Sequence, residues 1–404
     1  MRLLDYSSVL LPLSLIPSAI AAPSNTYSST PSTKYVNWRK SSFTGVNLGG
    51  WFVQEKFIDT GFWNANFGNA SDEWTACKNL GSKCSTVLEK RYSTWIDKSV
   101  IDTLAKSGVN ILRIPTTYAA WIKVPGSQLY HGNQKKYLRT ITDYAINKYD
   151  MHIIIDLHSL PGGINGLEIG ERVGGRDWFN STSNLKYSLD TVDAVLAFIQ
   201  ASKYPSHFTL EPINEPSDNT DFSQFGGPNA LTPSGVPWVL KYYNAVLAHT
   251  KKVDKRIPVM LMDTFKSPEF WSAYFNTTEN IVFDTHNYWF PTARGANSQN
   301  VTTLICQDAA KDKVTKFPVF VGEWSLEVGY NNTLKLRERN LKTAINAWKA
   351  SGAGSAFWTA KVTSPDALVA GEGSKTDYWS WVQFAKLGFF DKGRKEKGLT
   401  CPAA

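Results

Sequence analysis

Two glutamates stand where a carboxylate is hard to explain as surface decoration. Glu215 lies in Asn214-Glu215-Pro216, just after the apolar run 208–213, and Glu323 lies in Gly322-Glu323-Trp324, closing the run 319–322. A pair of carboxyl groups facing each other can break a glycosidic bond. One is protonated and assists the leaving oxygen, while the other is ionised and attacks the anomeric carbon or activates water. A gap of about 5–5.5 Å implies retention of configuration, a wider one inversion. Other polar groups also fall at the ends of apolar runs: Arg113-Ile114-Pro115, Asp156-Leu157-His158, His286-Asn287-Tyr288 and Phe357-Trp358. A guanidinium beside a carboxylate holds it ionised. Each of these residues also has a plainer reading. Arg113 fits a structural ion pair, His158 a hydrogen-bonded core histidine, and Tyr288 and Trp358 ordinary packing. Asp156, His158 and His286 as a metal set lack a His-x-His or carboxylate-bridged pattern, so neither metal nor cofactor is expected.

Their positions favour chemistry. Short β-rich runs at 45–48, 110–114, 153–157, 208–213, 258–262, 281–284, 319–322 and 355–358 alternate with helical patterns. Apolar stripes of helical period run over 87–107, 138–148, 189–199, 236–253 and 334–348, while the fifth unit offers only 270–274. Eight such units predict a single-domain α/β fold, a (β/α)8 TIM barrel. In that fold all strands present their C-terminal ends on one face. Six functional-looking groups at equivalent strand ends are hard to explain by packing.

The chain has 404 residues, 42% of them hydrophobic, enough for one large core, and 15 Trp, 17 Tyr and 21 Phe supply flat faces for packing or for stacking on ligands. The formal charge is +8, but no basic cluster with interleaved aromatics accompanies it beyond the short tail 392–397. No nucleic-acid partner is expected. Arg2, the apolar stretch 9–20 and Ala19-Ile20-Ala21 predict a signal peptide over 1–21. A flexible lead over 22–40 and a catalytic domain over 41–404 then follow. The apolar stretch is too short for a membrane span, and the expectation is a secreted, extracellular monomer. Four cysteines fit an oxidising compartment and allow three connectivities, of which Cys77 with Cys84 and Cys306 with Cys401 is one. Asn69, Asn180, Asn276, Asn300 and Asn331 each head a glycosylation sequon.

Asn214-Glu215-Pro216 and Glu323-Trp324 resemble the acid/base and nucleophile signatures of glycoside hydrolase family 5. Val46-Asn47-Leu48-Gly49-Gly50-Trp51, Arg113-Ile114-Pro115, Asp156-Leu157-His158, His286-x-Tyr288 and the Trp358 region follow in the order of its fungal exo-β-1,3-glucanase branch. The resemblance covers nearly the whole mature chain. It implies that Glu215 is the acid/base, Glu323 the nucleophile, and Asn214 the partner of the sugar 2-hydroxyl. It further implies that Arg113 and Tyr288 hold Glu323, and that His158 and His286 contact hydroxyls or orient the carboxylates. Trp358 becomes a stacking floor, and Glu55 binds hydroxyls at the closed end of the pocket.

The run after the third strand departs from that branch. Leu167 replaces an aromatic residue that clamps the next glucose, and Glu168 replaces a sugar-binding Asp. An insertion from Asp72-Glu73-Trp74 through Cys77 and Cys84 alters the first loop. These features, with the blocks 111–121, 123–130 and 210–216, are similar to the fungal 6-O-α-rhamnosyl-β-glucosidases, or rutinosidases. The implied substrate is a rhamnosyl-glucoside of a flavonoid, with β-1,3-glucan as the alternative. A barrel that binds carbohydrate without cleaving it is a remoter alternative, since both glutamates are retained.

Overall fold

A computed structural model describes residues 31–169, 171–313, 315–366 and 371–402. The signal peptide expected over 1–21 lies outside them. Eight parallel strands close into a barrel in chain order: β1 (Phe43–Asn47), β2 (Ile111–Thr117), β3 (His152–Ser159), β4 (Phe208–Glu211), β5 (Val259–Met262), β6 (Ile281–Trp289), β7 (Val319–Val328) and β8 (Gly354–Phe357). All eight expected runs are therefore strands of a (β/α)8 barrel in one domain. β2, β3, β6 and β7 run further toward the C-terminal face than their apolar cores suggest. β4 stops at Glu211, so Glu215 sits on the following loop.

The barrel closes where β1 pairs with β8, Phe43 opposite Gly354. Gly354 has φ +97, and a Cβ there would lie 1.9 Å from the Phe43 carbonyl oxygen, so only glycine allows this approach. The floor is apolar: Ile111, Ile154, Met260, Val282, Phe320 and Ala356 fill it, and Trp38 plugs it from below. The Trp38 indole N–H donates to Thr209 Oγ1 at 3.1 Å, and Tyr35 O–H donates to Asp254 at 2.7 Å. The end of the expected flexible lead is therefore docked, because an indole covering an open barrel floor buries more apolar surface than a free tail would.

The stripe expected as one helix over 87–107 is two, Lys83–Thr94 and Lys98–Lys106. Asp97 breaks it: its backbone is extended and its carboxylate caps the second helix by accepting from Val100 N–H at 3.0 Å. The weak fifth unit is the single turn Pro268–Ser272. Thr60–Asn66, Glu73–Leu80, Val301–Asp312, Lys375–Trp379 and Trp381–Lys386 are additional helices. The insertion in the first loop thus folds as helix, with Cys77 joined to Cys84, and a second disulfide joins Cys306 to Cys401. All five sequon asparagines are exposed. Among the described residues no helix is long and apolar enough to cross a membrane.

Candidate active site

Above the apolar floor the barrel interior turns abruptly polar. Side chains alternate along a strand, so the residue two places after a floor residue also points inward. Ile111 is followed in this way by Arg113, Ile154 by Asp156 and then His158, and Val282 by Asp284, His286 and Tyr288. Arg113 is fully buried and spends all five of its N–H donors on five acceptors. Nε and Nη2 grip Glu211 at 2.7 and 2.8 Å. Nη1 donates to Glu323 Oε1 at 2.8 Å and to Asn47 Oδ1 at 3.0 Å. The second Nη2 proton goes to Asn214 Oδ1 at 2.8 Å. Asp156 and Asp284 lie 3.1 and 3.7 Å from the same guanidinium. One cation thus organises the ends of six strands.

Glu323 reaches the interior through a break in the β6–β7 ladder. Thr285 pairs with Val321, but the next pair is His286 with Glu323, so Gly322 is an extra residue on β7. Such a bulge re-aims the side chain that follows it. Without it, Glu323 would face the outer layer with Val321. Tyr288 O–H donates to the other oxygen of Glu323 at 2.7 Å. Burial raises the Glu323 carboxyl above its ordinary value, while His286 and Arg113 pull the other way.

Glu215 is held by its backbone. Its φ is +48, a conformation non-glycine residues rarely adopt and one that concentrates at functional sites. Asn165 Nδ2 donates to the Glu215 carbonyl at 3.1 Å, and Ser217 N–H donates to Ile164 O at 2.8 Å, locking the loop. The side chain meets His286, whose Nδ1 lies 2.6 Å from Glu215 Oε1 and 3.5 Å from Glu323 Oε2. Carboxylate oxygens of Glu215 and Glu323 and a ring nitrogen of His286 all lie within 4.8 Å of one another. Burial pulls the His286 imidazolium down, but Glu323, Asp284 and Glu215 outweigh it and hold the group well above its ordinary value.

The remaining expected residues surround this pair. His158 Nδ1 lies 2.6 Å from Asp156 Oδ2, and its ring stacks on Trp358 at 5.5 Å and 14°. Asn214 Nδ2 and Glu55 Oε1 are buried without hydrogen-bond partners. Burial raises Glu55 well above the ordinary carboxyl range, with Glu168, Glu323 and Glu215 adding to it, which favours the protonated carboxyl. All nine residues expected to act on substrate therefore converge on the C-terminal mouth.

Several contributors went unread in the sequence. Glu211 ends β4, Asp284 sits inside β6, and Asn47 ends β1 and bridges Arg113 to the Gly322 carbonyl, to which its Nδ2 donates at 2.7 Å. Trp379, far along the chain, stacks on Tyr288 at 5.6 Å. Carboxylates within runs of Leu, Val and Ile were the available signal, since a buried charge needs a partner. Glu211, Asp284 and His286 also bring ligand atoms within 4.8 Å of one another. A metal ion there would sit against Arg113, which already pairs with both carboxylates.

The family model described as Cellulase (glycosyl hydrolase family 5) matches residues 70–364. The probable glucan 1,3-beta-glucosidase A of Aspergillus clavatus is 30% identical over 297 residues, 72% of this chain and 66% of that protein. The Aspergillus fumigatus protein of the same name is 31% identical over 311 residues, 73% and 69% of the two chains. The chain thus spans about two thirds of these relatives' lengths. The crystal structure of rutinosidase from Aspergillus niger superposes with a TM-score of 0.87 at 50% identity, covering 89% of this chain and 100% of that one. The crystal structure of AoRut gives 0.86 at 49% identity, with 89% and 99% covered. A catalytic-type carboxylate pair at the mouth of a (β/α)8 barrel and a family match over most of the chain lead to one conclusion: this protein belongs to glycosyl hydrolase family 5.

Proposed function

We propose that this protein is a secreted, retaining β-glycosidase of the rutinosidase type, releasing a rhamnosyl-glucose disaccharide from an aromatic β-glucoside. The observation that carries the mechanism is the approach of Glu215 and Glu323, whose carboxylate oxygens come within 4.8 Å. Retaining enzymes place the two carboxyl groups about 5–5.5 Å apart, and inverting ones about 6.5–9.5 Å apart to admit a water.

In the first step a Glu323 oxygen attacks the anomeric carbon. The bond to the leaving oxygen breaks, and that oxygen takes the proton of Glu215. In the second, Glu215 accepts a proton from water, the resulting hydroxyl bonds to the anomeric carbon, and the ester to Glu323 breaks. Arg113 and Tyr288 stabilise Glu323 as a carboxylate before attack and after release. The free Nδ2 of Asn214 is a donor awaiting the sugar 2-hydroxyl, and Glu55, its carboxyl raised by burial, suits a hydroxyl at the closed end. Trp358, backed by His158, offers its other face to the sugar ring.

The substrate class rests on two supports. Identity to the Aspergillus niger rutinosidase is 50% across that whole chain, against 28–31% for the glucan 1,3-beta-glucosidases. Leu167 also stands where the exo-glucanase pattern has a clamping aromatic. The glucan reading is favoured only by those relatives' names. Parallel hydrolysis of rutin, laminarin and a simple aryl β-glucoside separates them. Rutinose from rutin is expected, and glucose from laminarin without action on rutin would select the glucanase. Export is supported by the N-terminal pattern, the disulfides and the exposed sequons. Mass analysis of chain recovered from culture medium should show loss of residues 1–21 and added glycan.

A further inference from the structure

Asp284 takes part in neither chemical step above, yet it touches the supports of both glutamates. It is completely buried and points inward from β6. The bulge at Gly322 leaves that residue's N–H without a ladder partner, and it donates instead to Asp284 Oδ1 at 2.5 Å. A Cβ on residue 322 would lie 2.2 Å from both Asp284 oxygens, so glycine is what makes room for the carboxylate. The second oxygen, Oδ2, lies 3.1 Å from His286 Nε2. The other nitrogen of that ring faces Glu215 and Glu323 at 2.6 and 3.5 Å.

We propose that Asp284 is a positioning residue for both catalytic glutamates, one oxygen fixing the bulge that turns Glu323 inward and the other orienting His286 between Glu323 and Glu215. This rests on the roles assigned to the two glutamates above. With Asp284 accepting at Nε2, that nitrogen keeps its N–H, and the carboxylates of Asp284, Glu323 and Glu215 around the ring favour its positively charged form. That charge favours ionised Glu323 in the free enzyme. After Glu323 is esterified, the same Nδ1–H faces Glu215 as it becomes the base. The charged and titratable groups around the relay are Arg113 from β2, Asp156 and His158 from β3, Glu211 from β4, Glu215 from the following loop, Tyr288 from β6 itself, and Glu323 from β7. Asp263 beyond β5 and the Tyr243 hydroxyl on the helix Val236–Asp254 are the titratable groups on the outer side.

Replacing Asp284 with Asn tests the relay. Gly322 N–H still needs an acceptor, so the amide oxygen stays there and the NH2 faces His286 Nε2. The ring must then accept at Nε2 and become neutral, with its single N–H on Nδ1. The full-length D284N enzyme, assayed on an aryl β-glycoside, should lose at least about 10- to 100-fold in kcat/KM, by analogy with carboxylates that orient metal-bound histidines. Its acid limb should move up by about one pH unit, because one of the two cationic neighbours of Glu323 is gone and only Arg113 remains. A fall in activity with the acid limb unmoved would overturn the proposal. If D284N does not fold, 15N NMR of histidine-labelled wild-type enzyme gives the same answer. His286 should show two N–H groups at pH 6, and a bare Nε2 would overturn the relay. Glu323→Ala with added azide separates the two layers. An α-glycosyl azide supports the nucleophile whatever Asp284 does. Rescue together with an unmoved acid limb in D284N rejects the relay alone, whereas undiminished hydrolysis by E323A rejects the site assignment itself.

Discussion

Asn214 Oδ1 accepts from Arg113 Nη2 at 2.8 Å, and its buried amide nitrogen has no protein partner. A buried donor left unpaired is costly, and a ligand oxygen at that point would satisfy it. Asn214→Ala should lower kcat/KM by about 100-fold on a substrate with a 2-hydroxyl, because that contact strengthens toward the transition state. On the matching 2-deoxy glycoside the penalty should nearly vanish. An equal penalty on both substrates would place Asn214 in support of Arg113 only.

Tyr288 donates to Glu323 at 2.7 Å, and this bond favours the ionised carboxylate. Burial already holds Glu323 above the ordinary carboxyl value. Glu323 reacts only when ionised, so kcat/KM should fall as pH drops through its titration, at a pH above that of a free glutamate. Tyr288→Phe removes a donor to the charged form and raises the carboxyl further. Its acid limb should therefore lie at higher pH than that of the wild type, with activity at the optimum down about 10-fold. Profiles of kcat/KM for both enzymes on one aryl glycoside decide this.

Glu73 tests the first-loop insertion. Its carboxyl is buried, accepts from Gln54 N–H at 2.9 Å, and is pushed up by burial to about 8. The folded chain therefore holds a proton that the unfolded chain releases near its ordinary value. Between those two values folding binds a proton, so stability falls as pH rises from the ordinary carboxyl range to about 8, and this contribution levels off above that. Glu73→Gln cannot ionise. It should gain stability on the order of 3 kcal/mol over the wild type on going from pH 5 to pH 8. Denaturation curves at the two pH values check it, and parallel losses in both proteins would show that Glu73 does not titrate in this window.

The eight strands were legible because each is an apolar run bounded by turn residues, and the catalytic-type residues because they end those runs. The Arg113 network was not. Glu211 ends β4 and Asp284 lies inside β6, separated from Arg113 by 98 residues in one case and by more in the other, and only barrel closure brings them together. The bulge at Gly322 was equally hidden. Nothing in the local pattern of β7 says that two residues oppose one on β6, yet that slip decides whether Glu323 faces substrate. Asp97, a capping residue type inside an apolar stripe, is the local signal that the stripe 87–107 is two helices. Trp38 falls within the expected lead over 22–40, and only an open barrel floor gives it a place to go.

The central claim is that Glu323 forms a covalent bond to the sugar while Glu215 moves the proton. A 2-deoxy-2-fluoro glycoside with a good leaving group slows release of that intermediate and leaves it long-lived enough for mass spectrometry of the digested protein. The account predicts one equivalent of fluorosugar on the peptide holding Glu323 and none on the peptide holding Glu215. Label on another residue, or turnover of the natural substrate giving a product of inverted configuration, would contradict it.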